Sequence, residues 1–509
     1  MHSALLIDEI LRQIFSFNSG DARPSLVSAA LTCKAWKDPA LDFVWDQLSS
    51  FGPLLSLLPT ITDIVGQYGF ITQPSQEDLQ RFNSYARRIK HVSNRRELNV
   101  HPSIERSSLF STASALPNLS TAYISLPKTT TYLISLNFST NLVRLEVDLG
   151  FKAVLGPMSD ALCEYLEQNS GPCSKLRHLS LRGRSSNRLN AIISRLTNLE
   201  SISLKLGSSL LPQTFQAVTH WPRLLKLEIH AGQIEFNDLH DTHDPHASQD
   251  YTIFPSLATL YIRAKSVLIE IILHYIPPNT LRHLHIELDD SSSCMGFWKP
   301  GFISIANKTV DTLHHLALEH HFETTDPSTS SLSPIPFQSA SGLDVSGIDF
   351  QTIEYLNKLK NLRHFSCDIT LPPTISDQDL KKIVTWWPNL QHFELGSSDQ
   401  FEIAKPSQLS LASLSLFAHQ VPQLRTLVLP LIISDPLPPP SVVTQPAKAH
   451  SLQHLTITQL ETAYPVKFIH YLYSLFPSIK SIEGPCGQAW EDAITTLESL
   501  NSAFSSSLS

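Results

Sequence analysis

The segment Lys175–Leu181 reads K-L-R-H-L-S-L, and its form, L-x-x-L-x-L, recurs to make thirteen units. The first apolar residue of each falls at Leu119, Leu142, Leu176, Leu199, Leu224, Leu257, Leu281, Leu313, Leu362, Leu390, Leu424, Leu452 and Ile479, with most gaps between 23 and 34 residues. Recurrence at that period marks a solenoid with one strand and one helix per repeat, because no single unit can bury its own apolar face. The expected fold class is α/β, one repeating body rather than the several globular domains that 509 residues would otherwise suggest.

Side chains alternate along a strand. The fourth and sixth motif positions should therefore point inward, as Leu179 and Leu181 or Phe393 and Leu395, and the third and fifth outward. Prolines at 117, 222, 255, 388, 422 and 477 each stand two residues before a strand's first apolar residue. A proline there disfavours helix in the preceding residue and releases the chain into extended structure. Ser376-Asp-Gln-Asp379 has the form of a capping box and should start a helix through Leu380, Ile383, Val384 and Trp387. Trp386 and Trp387 could form a ligand platform, but helical spacing reads at least one as core.

Three inserts break the rhythm near 240–249, 319–347 and 430–450, and their polar or Ser/Thr/Pro-rich compositions predict exposed loops. His240, His243 and His246 are metal-capable, yet Pro245 places them in a loop, and no metal site is expected. The chain has no G-x-S-x-G, no phosphate-cradling glycine loop and no H-E-x-x-H, so neither enzymatic activity nor a cofactor is expected. A net charge of −8 argues against general nucleic-acid binding. No run of eighteen apolar residues exists to span a membrane, and Asp8, Glu9 and Arg12 interrupt what would be a signal peptide. The six cysteines lack metal-ligand or disulfide spacing, which favours a reduced protein of the cytoplasm or nucleus.

The first fifty residues differ from the rest. Leu6, Ile7, Ile10, Leu11, Ile14 and Phe15 follow helical spacing, a second short helix should carry Leu26, Val27, Ala30 and Leu31, and a third should be led by Pro39. Three short helices bury too little to be stable alone. Leu6 to Phe15 resembles the opening of an F-box, L-P-x-E-I-L-x-x-I-F, with Ile7 where the family has proline. Leu31-Thr-Cys-Lys-Ala-Trp36, with Trp45 beyond, resembles its closing half. The longer run T-C-K-A-W-K-D-P-A-L-D-F-V-W is similar to F-box proteins abundant in mushroom-forming fungi, and Phe82–Lys90 to the junction those proteins place before their repeats. The resemblance implies that a Skp-type adaptor, and through it a cullin, binds at Leu6, Ile7, Ile10, Leu11, Phe15, Leu31, Cys33 and Trp36.

The third motif position is histidine at His178, His283, His315, His364, His392 and His454, where 22 histidines in 509 residues would place fewer than one by chance. Four fall in successive units and should form a ladder on the concave sheet, as a target-binding surface. Either histidine is simply tolerated there, or the surface responds to pH near neutrality. A metal ladder is the least favoured reading, because successive imidazoles on a sheet do not converge as tetrahedral ligands.

The expected organisation is an F-box-like helical domain over 1–50, connecting helices and the start of the solenoid over 51–95, a leucine-rich-repeat-like solenoid or horseshoe over 96–487, and a capping helix with a frayed tail over 488–509. The expected function is substrate recognition in a Skp–cullin–F-box ubiquitin ligase. The alternatives are an interaction scaffold whose first helices only cap the solenoid, and a protein that inhibits or senses an enzyme.

Overall fold

The computed structural model describes residues 3–17, 23–64, 66–94, 101–105, 115–125, 138–151, 157–171, 173–235, 253–291, 295–321, 348–370, 373–396, 408–431, 450–457, 465–484 and 488–507. The insert at 240–249, with its three histidines, lies outside them, as does most of the other two inserts. The chain forms two compact units, Met1–Gln233 and Ile234–Ser509.

The first unit opens with three helices, α1 (Asp8–Ser16), α2 (Arg23–Thr32) and α3 (Lys34–Trp45). Pro39 does not lead α3 as expected but lies inside it. Its missing N–H orphans only the carbonyl of Ala35, an exposed residue where water can substitute. One residue past α3 the chain enters β1 (Gln47–Leu48), so the first strand of the sheet lies inside the segment expected to be purely helical. Residues 51–95 also differ from the expected connecting helices. They contain an antiparallel hairpin, β2 (Ile61–Ile64) with β3 (Gln67–Phe70), where Gly66 takes the left-handed φ of 76° that the turn requires. The helix Gln76–Ala86 follows, started by a capping box between Ser75 and Asp78.

Six more strands complete this unit's sheet: β4 (His91–Asn94), β5 (Thr121–Ser125), β6 (Arg144–Gly150), β7 (His178–Gly183), β8 (Ser201–Lys205) and β9 (Lys226–His230). They run parallel in the order β1, β4, β5, β6, β7, β8, β9. β4 is a further copy of the repeat, with Ile89 and Val92 buried where the leucines would be.

The second unit contains β10 (Thr259–Ala264), β11 (His283–Leu288), β12 (His315–His320), β13 (His364–Ile369), β14 (His392–Leu395), β15 (Thr426–Leu429), β16 (His454–Ile457) and β17 (Ser481–Glu483). Each pairs in parallel with the next. Helices such as Ser266–Tyr275, Asp377–Trp386 and Leu411–Gln420 alternate with the strands.

Both units follow one local rule. The backbone carbonyl at motif position two accepts the N–H groups of positions two and three in the next strand, as Val143 does from Arg177 and His178, or Arg363 from Gln391 and His392. This shared acceptor fixes the register. All thirteen first-position residues are buried, as are Leu179, Leu181, Phe393 and Leu395. The six prolines fall in turns that precede strands, and the capping box at Ser376 and Asp379 is formed. Trp386 and Trp387 are both buried, Trp387 completely, which removes the ligand platform. The last helix, Gln488–Ser507, packs Trp490, Ala493 and Leu497 inward; Ile494 faces out, and helix replaces the expected frayed serine tail as far as Ser507.

Candidate functional site

Two surfaces stand out, one in each unit. In the first unit, α1–α3 enclose a small core of Leu11, Phe15, Leu26 and Ala40, with Trp36, Phe43 and Val44 against it. Phe15 meets Trp36 edge to face at 5.9 Å, and the Trp36 indole N–H donates to the carbonyl of Leu5 at 2.8 Å. Arg12 joins Asp8 and Asp42, each at 2.6 Å, while Arg88, beyond the helix Gln76–Ala86, binds Asp38 at 2.7 Å and also Asp42.

That packing divides the expected adaptor contacts. Leu11 and Phe15 are 1% and 5% exposed and hold the three helices together, so neither lies on an outer face. Cys33 and Trp36 are half-buried. Leu6, Ile7, Ile10 and Leu31 are exposed, Leu31 at 82%. Ile14, Phe17 and Val27, absent from the expected set, are exposed beside them. Residues 7, 10, 14 and 17 recur at three- and four-residue spacing, which places them along one side of α1; that spacing is the signal by which Ile14 and Phe17 could have been found.

In the second unit, His283, His315, His364 and His392 occupy one register position on β11–β14. The rings of His315 and His364 stack at 3.8 Å, those of His364 and His392 at 3.9 Å, and His283 lies tilted 5.8 Å from His315. Burial, reinforced by the neighbouring imidazoles, lowers the pKa of His315 to about 4 and of His364 to about 2. Both stay neutral between pH 6 and 8, so a response to pH near neutrality does not reside on them. His454 stands apart on β16, its Nδ1 2.7 Å from Ser481 Oγ.

His178 is in the first unit, between Arg144 on β6 and Ser201 on β8. It lines a cavity of about 300 Å³ with Tyr123, Arg144, Glu146, Lys205 and Glu228. Arg144 pairs with Glu146 at 2.7 Å and Lys205 with Glu228 at 2.6 Å, so the charges here neutralise one another.

No group of three or more candidate metal ligands converges among the described residues, and none of their helices is long and apolar enough to cross a membrane. Residues 8–50, from the start of α1 through β1, match the F-box-like family. No curated protein matches the chain.

Proposed function

We propose that this protein is the substrate-recognition subunit of a Skp–cullin–F-box ubiquitin ligase. In this reading the outer side of α1 and α2 docks a Skp-type adaptor, as F-box domains generally do, and the strand ladder is a leucine-rich-repeat-like solenoid whose sheet face holds the target. The observation that carries it is the set of seven large apolar residues left exposed on and beside α1 and α2: Leu6, Ile7, Ile10, Ile14, Phe17, Val27 and Leu31. A helical cap would bury that side against its own chain, whereas a helix-in-groove interface needs it free. Ubiquitylation then follows by proximity, with the subunit itself performing no chemistry.

The test is a pull-down with purified Skp-type adaptor, comparing wild type with a Leu6→Asp, Ile10→Asp double variant. The proposal expects capture by the wild type and none by the variant, with the circular dichroism of the two unchanged. Failure of the folded wild type to bind would return the first helices to the role of a cap and the protein to that of a scaffold.

A further inference from the structure

Motif position two, at the entry of each strand, is treated differently in the two units. In the first, its cations are matched by carboxylates at the same position of a neighbouring strand. Lys90 lies 2.9 Å from Asp46, and Arg177 lies 3.6 Å from Glu200. In the second, successive strands β11–β15 carry Arg282, His314, Arg363, Gln391 and Arg425, with Lys480 further on and no carboxylate among them. Arg282, Arg363 and Arg425 are exposed and make no ion pair or hydrogen bond through their side chains with any described residue.

The carboxylates of the same face are engaged elsewhere. Glu287 is held by Arg263 at 3.1 Å, Glu319 by His285 at 2.7 Å, and Glu394 by Ser366 and His392 at 2.7 and 3.2 Å. Among the described residues the strand entry is thus a row of uncompensated guanidiniums, on a chain whose overall charge is −8. Beside it runs the row of stacked imidazoles, in which the rings of His315 and His364 are kept neutral by burial and supply N–H donors without adding charge.

We propose that this edge binds an acidic segment of a partner protein, laid across the strands in extended form. Guanidiniums favour carboxylates because the planar fork matches two oxygens. Arg282, Arg363 and Arg425 stand on every second strand, roughly 10 Å apart at about 4.8 Å per strand. A segment in the polyproline II form, with three residues per turn and about 3.1 Å per residue, covers that distance in one turn and keeps every third side chain on one side, so the segment carries Asp or Glu at every third position. The inference gives the target class for the ligase reading, but the binding itself does not depend on an adaptor.

The experiment measures fluorescence anisotropy of a labelled peptide with Glu at every third position, titrated with the full chain. Controls are the same peptide with Gln in place of Glu and a single-stranded oligonucleotide. Wild type should bind the Glu peptide, more weakly as salt rises, and neither control. An Arg282→Ala, Arg363→Ala, Arg425→Ala triple variant should lose at least tenfold in affinity, while Arg144→Ala, which removes an already paired cation, should bind as wild type does. Equal binding of the Glu and Gln peptides, preference for the oligonucleotide, or full affinity in a folded triple variant would each overturn the proposal. The triple variant should still capture the Skp-type adaptor. Loss of adaptor capture by wild type with peptide binding intact would sink the ligase reading and leave this one standing.

Discussion

Lys90 is bound to Asp46 twice. Its backbone N–H donates to the Asp46 carbonyl at 2.9 Å, and its ammonium lies 2.9 Å from the Asp46 carboxylate. Asp46 is the residue between α3 and β1, within the stretch that matches the F-box-like family, and Lys90 is the position-two residue of the next strand. The helical segment and the sheet therefore share backbone hydrogen bonds, with no linker between them.

Arg88 secures the same junction through Asp38 and Asp42. Arg88→Ala strands two carboxylates on α3, one of them still held by Arg12, and should cost about 1–3 kcal/mol. Thermal melting should show the loss. Arg88→Lys, a point charge without the fork, should recover only part of it.

Interior and outer face of the three helices should respond in opposite ways. Phe15→Ala empties a site packed against Trp36 and should destabilise the segment by about 3–5 kcal/mol. Leu31→Asp alters a side chain already in water and should leave the melting curve unchanged while reducing adaptor capture. A Leu31→Asp variant that unfolds would place that residue inside.

Acid should weaken the second unit through its stacked histidines. In the unfolded chain these rings take up a proton near pH 6.5, whereas folded His315 and His364 resist it down to about 4 and about 2. The unfolded state then binds more protons, so their contribution is intact above pH 6.5 and is lost progressively as the pH falls below it. The melting temperature should be flat between pH 7 and 8 as far as these groups decide it, then fall. A His315→Phe, His364→Phe variant should fall less steeply, and an identical slope would refute this account.

Trp387 is wholly buried against Phe365 and Phe393, its indole N–H donating to the Leu356 carbonyl. Trp387→Ala should cost about 3–5 kcal/mol. Urea unfolding followed by circular dichroism should show this in the second unit, with adaptor capture by the first unaffected.

Spacing made the ladder legible because each leucine, each turn proline and each third-position histidine answers to the same backbone geometry. The fourfold histidine register was readable for that reason. The β4 strand was not, since Ile89 and Val92 stand where leucines mark the other copies, and its two-residue partner Gln47–Leu48 is too short to show alternation. The hairpin at 61–70 escaped because a single tight turn leaves no period to count. On α1, an apolar stripe wide enough to serve two neighbours does not say which residue meets which. Packing against Leu26 and Ala40 decided that Leu11 and Phe15 lie inside while Ile10 and Ile14 do not. Pairing of the position-two charges was equally invisible, because strands distant in sequence supply the partners.

The direct passage from α3 into β1 makes the first unit a graduated rule. Six register steps lead from β1 to β9, roughly 29 Å at about 4.8 Å each. In the proposed reading, a target residue held on this face would stand a whole number of such steps from the helices that would meet the adaptor. Its reach would then be set by which strand holds it, and adding or removing one repeat would change that reach in fixed steps, without lengthening a tether.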